Sequence, residues 1–232
     1  MPKNNQDILE LNFNYFLHPS LYISGDFVDY QQLTDRYIIF YLSDVSGHGV
    51  GSAFVTVLLK ACIAQYCSEF TYMNNVTVID PKLMLSTLNK VVCTENLGKY
   101  LTMVYMVYDK KLSKLIYSVA GHYPFPVYLA QGSDNAKYIG ERGYPIGMFF
   151  EANYQNYELE LPENFKLAIF SDGIMEVRTE STLAAKEQAI LDIITRDHNK
   201  SLEILQNRLA INLEKNLPDD ITGLFISKGV VN

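Results

Sequence analysis

The sequence predicts an α+β fold in which sheets and helices form separate layers. Strand-like runs rich in β-branched and aromatic residues follow one another through short turns. Helical stretches fall in two blocks, one in the middle of the chain and one near its end. Strands and helices do not alternate regularly, which disfavours a doubly wound parallel sheet.

In chain order, strand-like runs are expected at Leu21 to Tyr30, Arg36 to Asp44, Leu101 to Tyr108, Lys114 to Val119, Phe125 to Leu129, Tyr154 to Leu161, Phe165 to Phe170 and Ile221 to Ile226. DKKLSK, from Asp109 to Lys114, reads as a hairpin turn, and QGSDN, from Gln131 to Asn135, as another, so this stretch is antiparallel. The first helical block opens with Gly51 to Phe70, where Phe54, Leu58 and Cys62 with Val55 and Leu59 make a face so broad that the helix is expected to be largely buried. Its second helix, Asp80 to Val92, begins with a capping Asp80 and Pro81 at the first helical position. The later block comprises Leu183 to Arg196 and Ser201 to Glu214, the latter with Leu202, Leu205, Leu209 and Leu213 on one stripe. No repeat, low-complexity tract or Pro/Gly linker interrupts residues 1–232, which read as a single domain.

Composition narrows the function classes. A chain of 232 residues, 48% of them hydrophobic, has enough apolar mass for a substantial core. The formal net charge of -7 and the absence of Lys/Arg clusters argue against nucleic-acid binding. Apolar runs such as Phe54 to Ile63 are interrupted by Thr56 and Lys60, short of the roughly 20 residues of a membrane span, so no span is expected. Pro2 to Asp7 carry no signal-peptide core, and Cys62, Cys67 and Cys93 form no CxxC pair. Reduced thiols in a cytoplasmic protein are the expectation.

Four acidic motifs sit at strand ends or turns: Ser24-Gly25-Asp26-Phe27, Ser43 to Gly49 (SDVSGHG), Ser171-Asp172-Gly173 and Asp219-Asp220-Ile221-Thr222. Asp44 follows YIIFYLS and Asp172 follows KLAIFS, so each reads as a carboxylate delivered at the tip of a strand leaving the core. Carboxylates converging at one edge repel unless neutralised, and hard divalent cations are the usual solution. Singly, each motif has a plainer reading. Asp-Gly is most often a turn, Asp219-Asp220 a solvated loop, and Gly47-His48-Gly49 a flexible helix entry.

Taken in order, these segments resemble the PPM-type metal-dependent protein phosphatases, in particular the bacterial branch of stage II sporulation protein E and the stress-response sigma-factor regulators. SGDFVD (24–29), SDVSGHGVGSA (43–53), VAGHYPFPVYL (119–129), GYPIGM (143–148), FSDGIMEV (170–177) and DDITGLFI (219–226) carry the resemblance over nearly the whole chain. It implies a four-layer α-β-β-α sandwich, two antiparallel sheets flanked by helices. It also implies two divalent cations, Mn²⁺ or Mg²⁺. Asp44 resembles the carboxylate shared by both, Val45 the donor of a backbone carbonyl, Asp26 a ligand of one metal, and Asp172 and Asp219 ligands of the other. Asp220 falls where the family has Asn or Asp. The implied reaction is direct attack of a metal-activated hydroxide on phosphoserine or phosphothreonine, with Asp44 and His48 as catalytic residues and His48 the candidate acid for the leaving group. His122 reads as ordering a turn.

No Arg precedes Asp26, which matches the bacterial branch and leaves phosphate binding mostly to the metals. The implied substrate is a phosphorylated regulatory protein, an anti-sigma-factor antagonist. Its implied control is an N-terminal receiver or sensory domain, entering near Asn5 to Leu17, with this chain as the C-terminal catalytic part of a longer protein. The helix Gly51 to Phe70 and the N-terminal segment are the surfaces on which a homodimer would form, although a broad apolar face is more often plain core. Two other readings stand beside this one. A phosphatase-like adaptor would have lost metal-site acids, whereas all four aspartates are present; a small-phosphate hydrolase would want a cradle such as GxxxxGK[ST], which is missing.

Overall fold

The computed structural model describes residues 1–232 except 48, 131, 198, 212–216 and 230–232. Among the described residues the chain is α+β, with two antiparallel sheets and flanking helices, and it divides into two compact units.

The first unit holds Leu21–His122 and Gly140–Glu160. Its sheet comprises β3 (Phe27–Gln32), β4 (Tyr37–Val45), β5 (Leu101–Asp109), β6 (Lys114–Ala120) and β9 (Tyr157–Glu160), in the order β3-β4-β5-β6-β9. The period of two in β4 and β5 sends Ile39, Tyr41, Val45, Met103, Tyr105 and Val107 to one face. There they form a core with Val55, Leu59 and Ile63 of α1 (Val50–Met73) and Met84, Leu85, Leu88 and Val92 of α2 (Pro81–Glu95). Ile38, Phe40, Leu42, Val104, Met106 and Tyr108, on the other face, are buried as well, which is why both strands read as unbroken apolar runs. α2 begins as expected: Pro81 opens the helix and the Asp80 carboxylate accepts from Leu83 N–H at 3.2 Å.

Helix α1 departs from its expected burial. Its buried stripe is Ser52, Val55, Thr56, Leu59, Ile63 and Cys67, whereas Phe54 and Val57 are 62% and 65% exposed. The apolar residues span more of the helix circumference than the sheet can cover, so part of the face stays at the surface. On length and composition alone this 24-residue helix could cross a membrane, against the expectation of no such stretch. Its folded setting accounts for part of its apolar content, because one stripe lies in the core and Lys60 pairs with Asp29 at 3.2 Å.

The turn after β5 is locked by Asp109. Its carboxylate takes both Nε and an Nη of Arg36, at 2.9 and 2.7 Å, and the backbone N–H groups of Lys111 and Leu112. Burial raises the Asp109 pKa, but the Arg36 hydrogen bonds and the two amides outweigh it and leave the pKa below its ordinary value. Asp109→Ala is therefore expected to destabilise the protein by about 2–3 kcal/mol at neutral pH, because it strands these donors. A depressed carboxylate pKa stabilises the fold above the unfolded value and ceases to do so as the pH falls through the folded one. The gap between wild type and Asp109→Ala should thus close below about pH 3.9; a gap in urea melts that persists in acid would contradict this.

The second unit holds Lys3–Ser20, Tyr123–Ile139 and Leu161–Asn232. Its sheet runs β1-β2-β11-β10-β7-β8, from β1 (Gln6–Ile8), β2 (Leu11–His18), β7 (Val127–Ala130), β8 (Lys137–Tyr138), β10 (Phe165–Phe170) and β11 (Ile221–Lys228). Phe16, Ala168, Phe170 and Ile221 pack with Ile174 of α3 (Gly173–Glu176) and Ile190 and Ile194 of α4 (Leu183–Asp197). The segment Asn5 to Leu17, near which a linker was expected to enter, is largely a hairpin, and β2 pairs with β11 along Ile221↔His18 to Ser227↔Asn12. Leu11, Phe13 and Tyr15 alternate with Asn12 and Asn14, the mark of a half-buried strand. The last expected helix is shorter, since α5 covers Leu202–Arg208 and Ala210 takes a left-handed φ of 63° that ends it. Leu213 of the expected stripe lies outside the described residues.

Candidate functional site

In the first unit the strand register assembles a row of polar side chains. Phe27 pairs with Ser43 and Asp44 with Thr102, and the Val45 N–H reaches Gly25 O at 3.4 Å. Extended one residue beyond the ladder, as the Val45–Gly25 bond indicates, this register sets Asp26 opposite Asp44, giving the row Asp26, Asp44, Thr102 across three adjacent segments. The row lies on the sheet face opposite α1 and α2, since Asp44 alternates with the core-facing Val45. Asp26 is 3% exposed, and its backbone N–H donates to Ser24 Oγ at 3.0 Å. Directly opposed like charges are unfavourable, the more so when one is buried, unless a cation lies between them.

Behind this row, Thr102 Oγ1 lies 3.2 Å from Nδ1 of His122, which is 2% exposed at the end of β6. His122 thus contacts the residue that pairs with Asp44. The loop after Asp44 is held from several sides. Ser46 N–H donates to Tyr100 O at 2.9 Å, Tyr100 N–H to Ser46 Oγ at 3.1 Å, and Lys99 Nζ to Ser46 O at 2.9 Å. Ser52 Oγ donates to Gly47 O at 2.9 Å. A Cβ at Gly25 would stand 2.7 Å from Val45 O and 3.2 Å from Gly47 O, so glycine there keeps open the space before the Val45 carbonyl. His48 lies outside the described residues.

In the second unit β10 runs out into Ser171-Asp172-Gly173 beside the start of β11. Ser171 N–H donates to Thr222 O at 3.0 Å, and Ser171 Oγ accepts from Thr222 N–H at 2.9 Å. Gly173 comes so close to Asp220 that a Cβ would stand 2.1 Å from its carbonyl oxygen. Burial of the Asp172 carboxyl, together with the negative charges of Asp219 and Glu176, pushes its pKa up. Asp219 and Asp220 separate in role. Asp219 is exposed, and its Oδ1 accepts from Asp220 N–H at 2.8 Å. Asp220 is 6% exposed, and its Oδ1 accepts both Ser20 N–H, at 2.7 Å, and Ser20 Oγ–H, at 2.8 Å. This ties the end of the β2 segment to the start of β11.

The structure therefore brings Asp26, Asp44 and Val45 together in one unit, and Asp172 and Asp219 in the other. Among the described residues no group of three or more His, Cys, Asp and Glu forms a metal cluster by itself. The donor set nonetheless suits a hard cation: every candidate ligand atom is an oxygen, carboxylates come in like-charged pairs, and the space before the Val45 carbonyl is clear. Thr102, Lys99 and Ser20 were not singled out from the sequence, and Ser171 only as the residue before Asp172 in its motif. Thr102 alone carried a signal there, as the polar residue interrupting the apolar run LTMVYMVY.

Comparison with known proteins matches residues 34–228 to the family model of stage II sporulation protein E (SpoIIE). Phosphoserine phosphatase RsbU of Bacillus subtilis is 29% identical over 167 residues, 70% of this chain and 46% of the relative. Phosphoserine phosphatase RsbP of the same organism is 27% identical over 172 residues, 72% of this chain and 40% of the relative. The chain thus spans less than half the length of either. The crystal structure of RsbX in complex with magnesium superposes with a TM-score of 0.70 at 15% identity, covering 97% of this chain and 98% of that one, a likeness of fold.

Proposed function

We propose that this chain, which belongs to the SpoIIE family, is a metal-dependent protein serine/threonine phosphatase. The observation that carries the reading is the opposition of Asp26 and Asp44 on one sheet face, an arrangement that a divalent cation turns from repulsive to favourable. Asp26, Asp44 and the Val45 carbonyl would hold one of two cations, Mn²⁺ or Mg²⁺. Asp172 and Asp219 are proposed as ligands of the other from the resemblance. When bound, such cations lower the pKa of water and neutralise phosphoryl oxygens. The chain's own residues supply positioning: Thr102 and His122 steady the Asp44 row, Ser171 and Asp220 fix the backbone that presents Asp172 and Asp219, and Lys99 pins the loop after Asp44. His48 is proposed as the proton donor to the leaving serine from its place in SDVSGHG alone.

The substrate we propose is a phosphoserine or phosphothreonine on a regulatory protein of the anti-sigma-factor-antagonist kind, in the cytoplasm. The two phosphoserine phosphatases among the relatives support the chemistry. An N-terminal receiver or sensory domain as controller, and homodimerisation, belong to this reading as the resemblance implies them. The adaptor reading is disfavoured because Asp26, Asp44, Asp172 and Asp219 are all present. The test is hydrolysis of a phosphoserine peptide with Mn²⁺, with Mg²⁺ or with a chelator, beside calorimetric Mn²⁺ binding. Turnover that requires the metal is expected; a folded chain that binds no Mn²⁺ would support the adaptor instead.

A further inference from the structure

The second unit contains a cavity of about 450 Å³ at the end of β10 and β11 remote from the aspartates. Lys166 and Ala168 of β10, Phe225 and Ser227 of β11, and Asn12 and Asn14 of β2 contribute to its floor on the helix-facing side of the sheet. Lys200 and α5, through Leu202 and Leu205, contribute to the opposite wall. In a protein with a net charge of -7, this lining includes two lysines and no Asp or Glu. Lys166 stands in an inner strand, half-buried, and burial lowers its pKa, so its charge is held in a setting that disfavours it. The amides beside it are ordered. Asn14 Nδ2 donates to Asn12 Oδ1 at 2.5 Å, and Asn12 Nδ2 donates to Asp7 Oδ1 at 2.8 Å. A volume in the range of small-molecule sites, an apolar wall and a few fixed polar groups are the usual make-up of a ligand pocket.

We infer that this cavity binds a small organic anion, its anionic group taken by Lys166 and Lys200 with the Asn14 amide, and its apolar body laid against Leu202, Leu205 and Phe225. The site lies about 20 Å along β10 from Asp172, six residues at the rise of an extended strand. It is therefore separate from the phosphatase chemistry and does not depend on it.

Anilinonaphthalene sulfonate, which joins a sulfonate to an aromatic body, is the probe, titrated into the full chain by fluorescence and calorimetry. Saturable one-to-one binding is expected, weakened at least fivefold by Lys200→Gln, an exposed position where the fold is not at risk, and lost in Lys166→Met. Phe54→Ser, which removes part of the exposed apolar face of α1, should leave binding unchanged. Absent or multi-site binding, binding indifferent to Lys200→Gln, or binding lost in Phe54→Ser would each overturn the assignment.

Discussion

Asp44→Asn is expected to reduce metal-dependent hydrolysis of a phosphoserine peptide at least about 1,000-fold in kcat/KM, a loss of roughly 4 kcal/mol of transition-state stabilisation. Asparagine keeps the shape of the side chain and removes the charge proposed to hold the cation beside Asp26. The fold should stand, because Asp44 lies one residue before the end of β4 and its ladder neighbour Thr102 is unchanged. In the absence of metal the variant should melt no lower than wild type, since the substitution relieves the repulsion of Asp26. Two measurements check this: peptide hydrolysis with Mn²⁺, and thermal denaturation with chelator. A variant that keeps a tenth of wild-type turnover would remove Asp44 from the proposed centre. A variant that melts well below wild type with chelator would show that the carboxylate is structural.

Gly173→Ala should be the most damaging substitution of a residue that bears no functional group. The added Cβ would meet the Asp220 carbonyl oxygen at 2.1 Å, and that oxygen belongs to backbone that cannot swing aside. Making room requires the Asp172 turn and the start of β11 to part, which strains the Ser171 hydrogen bonds to Thr222 and the Asp220 clamp on Ser20. Overpacking of this severity costs about 2–4 kcal/mol, and for a chain of this size each kcal/mol lowers Tm by roughly 2–4 °C. Activity should fall with stability, because the same movement displaces Asp172 relative to Asp219. Ala168→Gly, five residues earlier in β10, removes a methyl without a clash and serves as the comparison. A Gly173→Ala protein with wild-type Tm and turnover would mean that the turn relaxes freely.

The two substitutions also mark how far the chain could be read before folding. Asp44 and Asp172 stood out because each follows a dense apolar run, and a strand that leaves the core delivers its next side chain to the surface. Gly173 did not, since Asp-Gly is ordinarily a turn and its reason for being glycine lies 47 residues further on, at Asp220. The link of Thr102 and His122 to Asp44 escaped for the same reason. Neither has a local pattern tying it to Asp44, and only the pairing of β4 with β5 brings them into line. Asp220 shows the converse: its motif suggested a ligand or a loop, and the structure gives its carboxylate to Ser20.

What the amino-acid sequence determined alone is whatever short-range physics controls. The period of two in the central strands, the Asp80-Pro81 start of α2, the Asp109 turn and the order of the acidic motifs are all written in neighbouring residues. What only the tertiary structure decided depends on groups far apart in the chain. The register that opposes Asp26 to Asp44, the pairing of β2 with β11, and the share of the α1 face left uncovered follow from which surfaces remain to be paired once the sheets have formed. A side chain's own type limits what it could contact, but long-range hydrogen bonding and close packing choose the partner.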